Sequence, residues 1–222
     1  MPAKPQIRRK NDPERTKADI LDVATEEFAT RGLAGGRIDA IAEKTRTSKR
    51  MIYYYFGGKE DLYLAVLERS YRQIRTIEAD LELEHLPPQD ALRILISETF
   101  DYDEEHPDFI RLVSSENINY AAHMRRSETL RDLNVSIINT LAEILARGSQ
   151  AGVFKRQADP IDIHMLISAF CFFRVSNRHT FGAIFRRDLS EPELMGQHRR
   201  MIADTVLSYL MTSDEPAPAP PV

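Results

Sequence analysis

Twenty-seven residues, Arg37 to Tyr63 (RIDAIAEKTRTSKRMIYYYFGGKEDLY), constrain the fold of this chain more than any other stretch. Ile38, Ile41 and Ala42 fall at the i, i+3, i+4 spacing of a short helix with one buried edge. A few residues on, Ser48 is placed to cap a second helix, since its hydroxyl can accept an N–H that the first turn leaves unpaired. That second helix predicts Ile52, Tyr55 and Phe56 inside, with Lys49, Arg50, Tyr53 and Tyr54 largely on the other sides. Gly57-Gly58 ends it and Lys59-Glu60-Asp61 opens a third. Two short helices joined by a tight turn, the second cationic and tyrosine-rich, predict a helix-turn-helix DNA reader.

The same residues carry a family resemblance. Residues 13–64 resemble the N-terminal domain of the tetracycline-repressor (TetR/AcrR) family of bacterial regulators. The matching pieces are an opening helix with Ile20, Ala24 and Phe28, then Gly32, Ile38-Asp39-Ala40-Ile41-Ala42, Ser48, Tyr53-Tyr54-Tyr55-Phe56 and Lys59-Glu60-Asp61-Leu62. The chain departs from the family pattern in three places. Arg46-Thr47 stands where Gly-Val is usual, and an arginine in a left-handed turn costs about 1 kcal/mol relative to glycine. Gly36-Arg37 stands where a Thr or Ser usually opens the helix of Ile38, and Gly57-Gly58 where a Pro or Ser is usual. These departures predict a looser reading head, or a cap supplied by solvent.

Charge supports the DNA reading only when it is resolved along the chain. The formal net charge is −4, which taken alone argues against a nucleic-acid partner. Residues 1–75, however, hold 16 Lys/Arg against 11 Asp/Glu, while residues 76–222 hold 14 against 23. A basic N-terminal third is thus hidden in the average. The single cysteine, Cys171, excludes an internal disulfide and fits a reducing compartment. The six histidines lie far apart without cysteine partners, so neither a metal nor a cofactor is expected. No phosphate loop and no Ser-His-Asp order point to an enzyme. No apolar run approaches the roughly twenty residues of a membrane span, and the N-terminus lacks a signal-peptide core, so a cytoplasmic protein is expected.

The rest reads as helices. Residues 1–12 predict a flexible basic arm, and Asp12 caps a helix that starts at Pro13 and ends at Gly32. A connector helix follows over 59–83, then helices over Asp90–Glu104, Asp108–His123, from Glu128 to the Gly148/Gly152 region, Ile161–Thr180, and a last one from Leu194 to Leu210. Residues 213–222, rich in Pro and Ala, predict a disordered tail. The expected fold is all-α with about nine helices: an arm (1–12), a three-helix DNA-binding domain (13–58), and a helical effector-binding and dimerisation domain (59–212).

Arg37, Thr47, Ser48, Lys49, Arg50, Tyr53, Tyr54 and Lys59 are the candidate DNA contacts. Arg50 and Lys49 have the length and charge to reach a guanine edge or a phosphate. Thr47 and Ser48 sit at a helix N-terminus that favours phosphate, and the tyrosines suit sugar-phosphate contacts or a thymine methyl. The corresponding positions supply most operator contacts in the family the chain resembles. One reader helix discriminates weakly, so a homodimer on a palindromic double-stranded operator is expected. Met165, Ser168, Ala169 and Phe172, with Met201, Val206 and Leu210, are the expected seam. Polar residues in otherwise apolar helices predict a small-molecule site around Tyr120, His123, Phe172, Arg174 and Asn177. The resemblance implies the same arrangement, with entry of the ligand shifting the reading heads. Arg174 favours a carboxylate, and the phenylalanines an aromatic or heteroaromatic acid. The alternative in which these five form surface and inter-subunit hydrogen bonds stays open, as does a helical protein-interaction adaptor without DNA binding. The leading expectation is a ligand-responsive repressor.

Overall fold

The computed structural model describes residues 12–213. The expected basic arm, apart from Asp12, and the expected tail after Ser213 lie outside the described residues. Among those described there are ten α-helices, two short 3-10 turns and no strand. The helices are α1 (Pro13–Gly35), α2 (Ile38–Lys44), α3 (Lys49–Phe56), α4 (Lys59–Ala79), α5 (Pro88–Glu105), α6 (Pro107–Ile118), α7 (Glu128–Gln150), α8 (Pro160–Ser176), α9 (Arg178–Phe185) and α10 (Pro192–Met211). The chain divides into two compact units after Leu67, within α4.

In the first unit, Asp12 caps α1 by accepting from the N–H groups of Glu14 (3.1 Å) and Arg15 (3.2 Å). Pro13 occupies the first turn, where a missing N–H costs nothing. Regular helix breaks at Gly32, whose φ is 64°. Ile20, Ala24 and Phe28 of α1 close over Ile38, Ile41 and Ala42 of α2, Ile52 of α3, and Leu62, Tyr63, Val66 and Leu67 of α4, all buried. Phe28 meets Tyr63 edge to face at 5.3 Å. Gly36 is required by this packing: a Cβ there would lie 2.6 Å from the Phe28 ring.

Several bonds cross the head near the departures from the family pattern. No hydroxyl caps α2, but the N–H of Arg37, which precedes it, donates to the buried Glu27 carboxylate at 3.1 Å. This bond anchors the residue before α2 to α1, while the first turn of α2 has no side-chain cap. Lys44 pairs with Glu26 (3.1 Å), tying α2 to α1, and Lys49 pairs with Asp39, tying α3 to α2. Arg46 does take up the left-handed turn conformation, with φ 53°.

In the second unit a proline opens each of α5, α6, α8 and α10. The core gathers Leu92, Leu95, Ile96 and Phe100 of α5, Ile137, Leu141 and Ile144 of α7, Ile163, Ile167 and Cys171 of α8, and Ile202, Val206 and Leu210 of α10. Two helix boundaries differ from those expected. α6 stops at Ile118 rather than running to His123, and the chain turns through Tyr120 and Ala121, both at positive φ (57° and 56°). The apolar run Ile161–Thr180 is two helices, broken at Asn177. Apolar content alone cannot mark such breaks, because a turn that keeps the chain against the core needs the same residues as a helix.

Helix α8 is largely apolar in sequence. Within this chain it buries one stripe, Ile163, Ile167 and Cys171, and leaves Ile161, Met165 and Phe173 exposed. Val206 and Leu210, expected at the dimer seam, are core residues instead; Met201 and Tyr209 are the exposed apolar groups of α10.

Candidate nucleic-acid interface and effector cavity

Helix α3 begins at a working cap: the Ser48 hydroxyl accepts from the N–H of Met51 at 3.2 Å. Gly57, at φ 86°, ends the helix, in a region that favours glycine, and its N–H donates to the carbonyl of Tyr53. Between these ends α3 is two-faced. Ile52 is fully buried, Tyr55 and Phe56 are half-buried, and Lys49, Arg50, Tyr53 and Tyr54 are exposed. Successive residues turn by about 100° around a helix, so positions 49, 50, 53 and 54 share one side. That side is a cationic, hydroxyl-tipped surface of the width a major groove admits.

The other expected contacts flank it. Arg37 is exposed just before α2, and Thr47 is half-buried in the turn before α3. Lys59, at the start of α4, donates from Nζ to the carbonyl of Ala34 at 3.2 Å, so its ammonium is held in place. Arg50 makes no hydrogen bond or ion pair among the described residues. Lys17 of α1 lies 5.8 Å from the ring centre of Tyr55.

The second unit contains a cavity of about 210 Å³. Phe109, Val113, Phe172 and Ile74 give it apolar walls, and Tyr71, Arg75, Thr99, Asp103, Asn134, His164 and Ser168 give it polar groups. Of the five residues expected around an effector, only Phe172 lines it. Arg174 is buried elsewhere: its Nε donates to Glu104 at 2.9 Å, one NH2 to the carbonyl of Leu189 at 2.7 Å, and the other to Nδ1 of His198, over the ring of Phe100. Arg178 donates to the second oxygen of Glu104. His123 is bound to buried Glu116, Tyr120 is 83% exposed, and Asn177 sits at the α8–α9 break. The polar groups read as waiting for a ligand are thus satisfied by acids on α5 and α6, or face solvent.

Of the cavity residues that sequence reasoning did not single out, Tyr71 and Arg75 lie on the helix read as the connector, Asp103 on the helix read over Asp90–Glu104, and His164 on the helix expected at the dimer seam. Arg75 is 8% exposed and Asp103 5%. Arg75 pairs with Glu78 one turn along, while its Nε has no hydrogen-bond partner. Burial, with Glu104 and Glu78 adding to it, pushes the Asp103 carboxyl up to about 7. Burial also pushes Glu78 up to about 7 against the pull of Arg75, and lowers His164 to about 4, so its imidazole is neutral. The signal available in the sequence was charged residues at helical spacing on apolar faces, Arg75 and Glu78 on one and Asp103 on another.

Comparison with known proteins now decides the family. Residues 20–66 match the family described as bacterial regulatory proteins, tetR family, and residues 88–206 match the tetracyclin repressor-like C-terminal domain. The chain is 34% identical over 197 residues to the HTH-type transcriptional repressor NicS of Pseudomonas putida, covering 89% of this chain and 93% of that one. The chain belongs to the tetR family. It is also 30% identical over 151 residues to the HTH-type transcriptional regulator RutR of Escherichia coli K12, covering 68% of each. Among solved structures, a transcriptional regulator of Streptomyces coelicolor superposes with a TM-score of 0.66 at 27% identity, over 87% of this chain and 97% of that one.

As a tetR-family protein it is a transcription factor rather than an enzyme: a DNA-binding, ligand-responsive repressor that acts as a homodimer. No helix of the described residues is long and apolar enough to cross a membrane.

Proposed function

We propose that this tetR-family protein represses transcription by binding a palindromic double-stranded operator through α3 of each protomer, and that a small aromatic or heteroaromatic acid in the 210 Å³ cavity releases it. The reading part is Lys49, Arg50, Tyr53 and Tyr54, with Arg37, Thr47, Ser48 and Lys59 positioning the phosphates. The division into a DNA-binding domain over 13–58, an effector and dimerisation domain over 59–212 and a cytoplasmic location belong to this proposal. So does a dimer seam on the exposed faces of α8 and α10.

One observation carries the switch. Helix α4 supplies Leu62, Tyr63, Val66 and Leu67 to the core of the first unit, and Tyr71, Ile74 and Arg75 to the cavity of the second. A ligand that prefers one placement of Tyr71 and Arg75 therefore acts on the same helix that closes the DNA-reading unit. About 5.5 kcal/mol of differential affinity turns a 99:1 population over, and each base pair read is worth about 1–3 kcal/mol. Arg75, the one guanidinium among the described residues lining the cavity, replaces Arg174 as the anchor for an acidic group, and Phe109 and Phe172 accept a ring.

The test titrates labelled upstream DNA with the protein and then with ring acids. Release by such an acid that is lost in Arg75→Met but kept in Tyr120→Ala supports the site. Equal loss in both variants, or no release by any acid, overturns it.

A further inference from the structure

Resting on the cavity reading above, we propose that the effector acid binds together with one proton, which is taken up from solvent and held on Asp103 at the cavity wall. One guanidinium here already has two buried carboxyl groups near it, only one of them paired with it. Arg75 is neutralised by Glu78, and Asp103 lines the same cavity without an ion pair among the described residues. A ligand carboxylate would be a third acid beside one cation. In a buried site, carboxyl groups that close together cannot all ionise, and one keeps its proton. A protonated Asp103 then donates an O–H to the ligand, while the guanidinium of Arg75, which lines the same cavity, donates the second hydrogen bond.

Among the groups lining the cavity Asp103 is the one that changes, since Glu78, also pushed up to about 7, is paired with Arg75 and does not line it. From α4 it is faced by Tyr71, Arg75 and Glu78. From α8 it is faced by His164, which burial holds neutral, and by the thiol of Cys171, which burial pushes far up. On its own helix stand Tyr102, pushed up to about 12, and Glu104, which is occupied by Arg174 and Arg178. α6 contributes Phe109 and Val113, its acid Glu116 being held by His123 and backbone N–H groups, and α7 contributes the neutral Asn134. Tyr71 and Tyr102 are protonated throughout the neutral range, so neither supplies the proton.

The sign follows from linkage. Free Asp103 titrates near 7 and the bound ligand raises that value further, so binding takes up a proton above pH 7. Affinity is level below about pH 7, where Asp103 is protonated in both states, and falls by up to about tenfold per pH unit above it. The ligand carboxylate stays ionised throughout, since its own titration lies near pH 4–5, about the range of a free carboxylic acid.

The test measures binding of benzoate and the pyridinecarboxylates to the full chain by calorimetry from pH 6 to 9. Each is run in two buffers of different ionisation heat, so that protons taken up are counted directly. Benzamide serves as the uncharged control. The expected result is close to one proton taken up near pH 8 with an acid, and none with benzamide. Asp103→Asn, which mimics the protonated side chain, should flatten the profile and bind more tightly than wild type at pH 8.5. Glu78→Gln should keep a slope but move it to lower pH, because one acid has been removed. If an acid binds wild type with no proton uptake, or Asp103→Asn keeps the wild-type slope, the proton-sharing proposal is overturned while the acid site stands. If no ring acid binds at any pH, the acid reading fails and this proposal fails with it.

Discussion

Replacing Gly36 by alanine tests how the DNA-reading unit is held. The new Cβ would lie 2.6 and 2.8 Å from two atoms of the Phe28 ring and 3.1 Å from the Gly32 carbonyl. Carbon atoms rest at about 3.5–4.0 Å, so the ring must move by roughly 1 Å. Phe28 is 1% exposed and braced edge-on against Tyr63, leaving it nowhere to go without cost. Overpacking of this kind costs about 1–3 kcal/mol. The alanine also restricts the unfolded chain, which returns about 0.4–1 kcal/mol because Gly36 has an ordinary extended backbone. Taking the middle of both ranges, the net loss is about 1.3 kcal/mol, close to a tenfold shift in opening. Native-state hydrogen exchange should show amides of α1 to α3 opening about tenfold more often, with the slowest amides of α5 and α8 unchanged. Phe28→Leu should make room for the added methyl, so the double variant should lose less than the sum of the singles by more than about 0.5 kcal/mol. Exchange in α1 to α3 matching wild type, or strict additivity, would refute the packing argument.

Arg50→Ala should lower operator affinity and narrow the gap between operator and random DNA, since an unpaired exposed guanidinium on the reading face is available to a base edge; gel-shift titration on both DNAs checks it. Lys59→Ala should weaken both DNAs alike and reduce the slope of log affinity against log salt by roughly 1. Arg174→Ala should destabilise the second unit by about 3–5 kcal/mol in a denaturant melt, because Glu104 loses its buried partner; an equally stable variant would contradict the buried-pair reading. Met165→Glu or Phe173→Glu should give monomers by sedimentation, whereas Val206→Glu should unfold the unit.

What was legible in the sequence was what local chemistry writes down. The Asp12 and Ser48 caps, the prolines at helix starts, and the glycine after α3 each follow from backbone groups that need a partner within four residues. The two-faced character of α3 follows from spacing alone. The anchor before α2 was not legible in that way, because Glu27, which accepts from the N–H of Arg37, comes from ten residues upstream and is brought there by the fold. Nothing in the run Gly36-Arg37-Ile38 announces it.

Four of the five residues expected around an effector lie away from the cavity for a related reason. A polar residue on an apolar helix declares that it needs a partner, but not which one. Arg174 and His123 found theirs in Glu104 and Glu116, across 70 and 7 residues. Arg75 and Asp103 looked ordinary, being charged residues on helices with a solvent side. What distinguishes the two sets is completeness. The guanidinium of Arg174 has partners at all three nitrogens, whereas Arg75 keeps Nε unpartnered and Asp103 has no ion pair among the described residues. A buried network with every donor used fixes a fold, and one left open at a cavity wall can be finished by a ligand. On the proposed reading, the cost of leaving Arg75 and Asp103 in that state in the free protein is what a complementary effector would recover on binding, and that energy would act on α4, whose first turns pack in the core of the DNA-reading unit.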